Sequence, residues 1–293
     1  FMLWTYLLVL KLKNNDSFFS KLFLLIVSCI FLLIRQTNVI WLLFFIGITI
    51  VKNLIARKRI RDDQFGVSGL LSFIYYIWND KIMLLSLIWP LLLPVIGFVI
   101  FVAVNGSIVV GDKDNHVAGI HSAMVSHGIF LSALIFLPVT LDEIRQTTLP
   151  MKQYFMNTWK ISQIKTITWI TLTSVAFLVG IMMVYGSKSH PFLVSDNRHY
   201  TFYLWRRVLQ HSHHRVKIGI IYFGLSFLYF LNLTRYHSPY WLLVSLIAVI
   251  LVLIPTPLLE PRYFTQVVII SLLNHPAQDE EKRRSNLPIF QLL

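Results

Sequence analysis

The chain is poor in cysteine and in acid. Its 293 residues hold one cysteine, Cys29, inside an apolar run, so no intrachain disulfide can form and no thiolate metal site is suggested. Asp and Glu number 13 against 26 Lys and Arg, and only 13% of residues are charged, about half the share of an ordinary soluble domain. Hydrophobic residues make up 56%, and mean hydropathy is +0.67. The excess lies in long runs, which excludes a soluble globular domain and implies a multi-pass, all-α helical membrane protein. A net charge of +13 would suggest nucleic acid in a soluble chain. Here the cations flank apolar runs, as they do on the cytoplasmic side of membrane helices, and no nucleic-acid partner is expected. No fixed-period repeat and no cleavable signal peptide is visible. Phe1–Leu10 is already a half-span, so the chain is expected to be the C-terminal portion of a longer protein, one membrane domain over 1–293. Its residues 274–293 are expected to be a polar tail leading to a possible further span.

A helix needs about 20 apolar residues to cross the bilayer core. The runs 1–10, 22–34, 39–55, 82–104, 116–139, 164–185, 218–233 and 240–254 give about eight spans, the first two short. Pro90 and Pro94 lie inside the fourth run. The segment 62–81 mixes Phe65, Leu70, Leu71, Phe73, Ile74, Tyr75, Ile77 and Trp78 with polar residues, as an interfacial helix would. With Arg57–Arg61 placed in the cytoplasm and the spans alternating, four polar motifs fall on the opposite face. They are Arg35–Asn38 (RQTN), Asn105–His121, His190–Leu209 and Leu258–Phe264 (LLEPRYF). The third breaks the positive-inside rule, with Arg198, Arg206, Arg207, Arg215 and Lys217 on the non-cytoplasmic side, a breach more easily explained if the cations hold an anion.

Each motif has a functional and a structural reading. RQTN offers donors to a phosphate or sugar, or is interhelical polar glue. Asp112 and Asp114 are carboxylates in a Gly-containing loop, or partners for Lys113. His116 and His121 are five apart, poor spacing for two metal ligands on one helix face. In the central motif Asp196, Arg198, His199, Arg206 and Arg207 lie among Tyr200, Phe202, Tyr203 and Trp205, which suits phosphate and sugar binding, or else an interfacial aromatic belt. His211, His213 and His214 are a polar helix foot more readily than a metal site. Glu260 and Arg262 either tie helix ends together or meet an anionic lipid head.

RQTNVIW (35–41), VNGSIVVGDKDNH (104–116), HPFLVSDNRHYTFYLWRR (190–207) and PTPLLEPRYF (255–264) resemble, in order and spacing, the dolichyl-phosphate-glucose-dependent α-1,2-glucosyltransferases of the endoplasmic reticulum, the Alg10/Die2 family. The resemblance covers about residues 22–265 and implies a partial GT-C-type glycosyltransferase fold in the endoplasmic reticulum membrane. It implies an inverting hexosyltransferase that adds the third, terminal glucose to a dolichyl-diphosphate-linked oligosaccharide. Donor and acceptor would both be lipid-linked, in keeping with the lack of a Gly-rich nucleotide loop, and no cofactor or metal would be needed. The substrate contacts it marks are Asp196, Arg198, His199, Tyr200, Arg206, Arg207, Glu260, Arg262 and Tyr263, with Arg35, Asn38, Asp112 and His116. The family's catalytic carboxylate is expected in a first lumenal loop upstream of residue 1. Asp142-Glu143 falls on the cytoplasmic side of this topology, so no catalytic base is assigned. The alternatives are a multi-pass transporter and a non-catalytic membrane scaffold. Runs 82–104, 164–185, 218–233 and 240–254 carry no charged residue in their cores, which counts against an ion pathway.

Overall fold

The computed structural model describes residues 2–11, 17–61, 66–108, 119–146, 166–188, 200–256 and 261–274, and every regular element among them is helical. The helices are α1 (Met2–Lys11), α2 (Phe18–Ile34), α3 (Asn38–Ala56), α4 (Val67–Asn79), α5 (Lys81–Asn105), α6 (Ser122–Gln146), α7 (Thr166–Gly186), α8 (Tyr200–Leu204), α9 (Ser212–Tyr236), α10 (Pro239–Leu253) and α11 (Pro261–Asn274). A π-helical turn, Trp205–Leu209, follows α8. Each expected span coincides with a helix, and α11 adds a ninth apolar one. Four are long and apolar enough to cross a membrane: Asn38–Ala56, Lys81–Asn105, Ser122–Leu141 and Ser212–Thr234. The remaining apolar helices are shorter, among them Phe18–Ile34, Ile170–Gly186 and Pro239–Leu253. The 17 residues of α2 reach roughly 25 Å at 1.5 Å per residue, less than the bilayer core. The tail beyond residue 274 lies outside the described residues.

The chain packs as two units, Phe1–Gly119 with Ser238–Pro255, and Ile120–His237 with Thr256–Leu293. The first is built around α3, against which α1, α2, α5 and α10 pack. Trp41, Leu42, Phe45, Ile48 and Leu54 are fully enclosed, and Phe45 meets the rings of Tyr6 at 5.2 Å and Phe31 at 6.2 Å. Helix α10 starts on Ser238-Pro239, where Ser238 Oγ accepts from the Trp241 amide at 3.1 Å and Pro239 needs no partner. Its Val244 lies so close to Gly47 that a Cβ there would stand 2.7 Å from Val244 Cγ1.

Helix α5 runs through Pro90 and Pro94. Proline has no N–H, so Pro90 leaves the Ser86 carbonyl without its helical donor; Lys21 Nζ donates to that carbonyl at 3.1 Å. Phe18 stacks on Trp89 at 6.1 Å, so the start of α2 lies beside α5 eight residues into that helix. The expected interfacial segment is α4: Leu70, Phe73, Tyr76 and Ile77 pack on a cluster of Val51, Leu54, Ile60 and Tyr240. Its other face exposes Val67, Leu71, Ile74, Tyr75 and Trp78.

Helix α3 stops at a left-handed residue. Lys58 has φ 57°, the Lys58 amide donates to Ile55 O at 2.8 Å, and the Arg59 amide reaches Leu54 O at 2.9 Å. This is the Schellman pattern with lysine where glycine is usual, and Ile60 beyond it is buried. Lys58→Gly is therefore expected to stabilise the unit by about 1 kcal/mol, read as a higher melting temperature of the purified protein. An unchanged or lower melting temperature would show that the backbone there carries no strain.

Candidate functional site

The second unit has a direction. Helices α6, α9 and α11 run parallel: His127 meets Tyr222 and Phe264 in their first halves, and Phe136, Tyr229 and Ser271 meet further along. Helix α7 runs the other way. Ser126 Oγ donates to Val179 O at 2.8 Å, and a Cβ on Gly180 would lie 2.8 Å from Gly219 O, so α7 and α9 approach backbone to backbone. The starts of α6, α9 and α11 and the end of α7 thus share one end of the bundle. At that end the chain enters from the Asn105–His121 motif, leaves into the central motif, and re-enters at the PRYF sequence.

Arg215, in the first turn of α9, bridges this end. Its Nη1 donates to Val184 O at 3.2 Å, in the last turn of α7, and to Ser187 O at 3.4 Å, just beyond it. A cation there satisfies acceptors that the helix cannot and favourably meets the negative end of its dipole. The same contact closes the loop that contains the central motif.

Six of the residues marked by the sequence, Asp112, His116, Asp196, Arg198, His199 and Glu260, lie outside the described residues. Tyr200 begins α8, and Arg262 lies in the first turn of α11, where Pro261 suits the first helical position. Tyr263 follows it, half-buried. Helix α11 therefore begins at Pro261, four residues before the apolar run Thr265–Leu273, and PRYF is helical rather than a connecting loop.

Arg206 and Arg207 are exposed. Each guanidinium rests on a ring one turn earlier, Arg206 over Phe202 at 5.9 Å and Arg207 over Tyr203 at 5.6 Å. The stacking orients the two cations and leaves their N–H edges free for an anion.

Arg35 and Asn38 belong to the first unit. Arg35 is half-buried where α2 ends in extended backbone. Asn38 is 2% exposed, and its amide donates to Phe31 O at 2.7 Å, so its donor serves the α2–α3 hairpin. The rings of His211, His213 and His214 cluster with centroids 4.1–5.8 Å apart, yet no group of three His, Cys, Asp or Glu placed to hold a metal ion occurs among the described residues.

The model of the DIE2/ALG10 family matches residues 1–273. The chain belongs to this family. Among curated relatives, the Arabidopsis thaliana protein named Dol-P-Glc:Glc(2)Man(9)GlcNAc(2)-PP-Dol alpha-1,2-glucosyltransferase is 33% identical over 79% of this chain and 54% of its own length. A Homo sapiens protein of the same name is 30% identical over 94% and 58%, and a Candida glabrata one 30% over 81% and 46%. The chain spans about half the length of the curated relatives it matches. No solved structure matches it.

In this DIE2/ALG10 family member one polar residue escaped the motif reading. His127 lies within the span Ser122–Leu141, 8% exposed, with Nδ1 2.8 Å from Tyr222 Oη. The ring of Phe130 stacks on Tyr222 at 4.0 Å, and Phe264 of the PRYF sequence stands against His127 at 6.4 Å. The signal was a histidine amid SAMVSHGIFL, an ionisable group inside a span.

Proposed function

We propose that the full-length protein transfers the third glucose, in α-1,2 linkage, from dolichyl-phosphate-glucose to the diglucosylated dolichyl-diphosphate oligosaccharide. The transfer takes place on the lumenal face of the endoplasmic reticulum membrane. The names of the curated relatives support the reaction, and one observation ties it to this chain. Two exposed, ring-stacked guanidinium groups, Arg206 and Arg207, belong to the segment entering the end of the bundle where PRYF begins. A lipid phosphate gains negative charge as it leaves the sugar, and preformed cations at the polar boundary stabilise that charge. Among the described side chains the only carboxylate is Asp80, paired with Arg59 at 3.2 Å in the first unit.

The test uses the full-length gene in cells lacking the terminal glucosyltransferase. Arg207→Ala and Arg262→Ala, with membrane expression confirmed, are each expected to slow glucose transfer about tenfold, the loss of one charge-assisted contact, so that the two-glucose lipid-linked species accumulates. Normal formation of the three-glucose species by both variants would make these motifs structural.

A further inference from the structure

The His127–Tyr222 pair carries an inference that rests on the reaction just proposed. The Tyr222 hydroxyl is buried, and its partner among the described residues is His127 Nδ1. Either the Tyr222 hydroxyl donates to Nδ1 and the neutral ring carries its proton on Nε2, or Nδ1–H donates to the hydroxyl and the phenol proton is left; each arrangement leaves one donor over. His127 makes no other hydrogen bond among the described residues, so the pair, whose histidine is more than nine-tenths buried, holds one donor with no acceptor among them. His127 lies five residues inside α6, about 7 Å from its start at 1.5 Å per residue, with Tyr222 ten residues inside α9, about 15 Å from its start, and His127 stands against the first turn of α11. In a sugar lipid the phosphate joins the apolar prenyl chain to the sugar and is therefore its most deeply placed polar group; the glycan of an oligosaccharide acceptor extends into the aqueous layer beyond.

We propose that His127 Nε2–H donates to a phosphate oxygen of the polyprenyl-phosphate sugar donor, with Tyr222 fixing the tautomer that makes the donation possible. Arg206 and Arg207 hold the charge at the polar rim, and His127 meets the phosphate from the apolar side. The neutral ring supplies direction without placing a permanent charge among apolar helices.

The experiment measures initial rates of the full-length enzyme in lipid nanodiscs, varying dolichyl-phosphate-glucose at saturating acceptor and then the reverse. His127→Phe is expected to lower kcat/KM for the donor about thirtyfold while the acceptor KM stays within about twofold. Tyr222→Phe, which removes one oxygen, should lower the donor kcat/KM about fivefold, and His127→Gln, whose amide can donate from a similar place, should retain more activity than His127→Phe. Donor kinetics within about twofold of wild type in His127→Phe, or an equal effect on both substrates, would overturn the assignment. If His127→Phe does not fold, Tyr222→Phe decides by the same criteria. Loss of activity in Arg207→Ala with unchanged donor kinetics in the His127 variants removes only this inference. A wild-type protein that transfers no glucose from the donor removes the proposed reaction, and this inference with it.

Discussion

Gly180→Val in the full-length protein is expected to destabilise it by roughly 3 kcal/mol or more, seen as a large fall in melting temperature and in steady-state membrane level. A Cβ at position 180 would stand 2.8 Å from the Gly219 carbonyl oxygen, and that neighbour is backbone, which cannot rotate away. The α7–α9 pair would have to separate, and within a membrane close approach of backbones is much of what holds two helices together. Separation would also strain the Arg215 contacts between the same two helices. Gly224, further along α9, is the control: nothing lies within 4 Å of a Cβ placed there, so Gly224→Ala should be neutral or stabilising by up to about 1 kcal/mol. Similar stability of the two variants would mean that α7 and α9 are not packed through these glycines.

That contrast marks what could be read from the sequence. Apolar runs and their polar interruptions placed the helices, because a bilayer permits little other than helix where a run is long and apolar. The pattern does not say which of the glycines is pressed against a neighbouring backbone: Gly180 and Gly224 sit in similar apolar surroundings, and only tertiary contact separates them. Helix starts were displaced for a similar reason. The apolar run was expected from 218 with the histidines as a polar helix foot, and α9 begins at Ser212, because Arg215 finds its acceptors at the end of α7 and so need not remain in water. For Asn38 the sequence left two readings, a donor to a phosphate or sugar and interhelical polar glue; the hairpin leaves the Phe31 carbonyl within its reach, and a buried donor is held by the nearest acceptor. The aromatic and basic central motif was legible because its Arg–ring pairs are four residues apart, the spacing that one helical turn brings together. His127 was missed because its partner, Tyr222, is 95 residues away and looks like an ordinary aromatic of an apolar helix.

Arg215→Met is expected to reduce glucose transfer by the full-length enzyme about a hundredfold, although its guanidinium is engaged with the carbonyls of Val184 and Ser187. Charged hydrogen bonds contribute roughly 1.5–3 kcal/mol each, and this side chain makes two, to Val184 O and Ser187 O. Methionine keeps much of the apolar stem and removes the donors, so the carbonyls at the end of α7 lose their cation and the ends of a segment 28–31 residues long are no longer held together. That segment carries Asp196, Arg198, His199, Tyr200, Arg206 and Arg207, and displacing a positioned contact by about 1 Å can cost two orders of magnitude in rate. Arg215→Lys separates positioning from simple loss of charge. Lysine keeps the charge but lacks the planar fork, so it should restore stability more fully than activity. The discriminating readout is kcat against KM: a displaced site should lower kcat and raise the donor KM together, whereas a protein that is merely less abundant after folding shows unchanged KM. Unchanged kinetics per folded molecule in Arg215→Met would reduce this bridge to a helix cap with no bearing on the site.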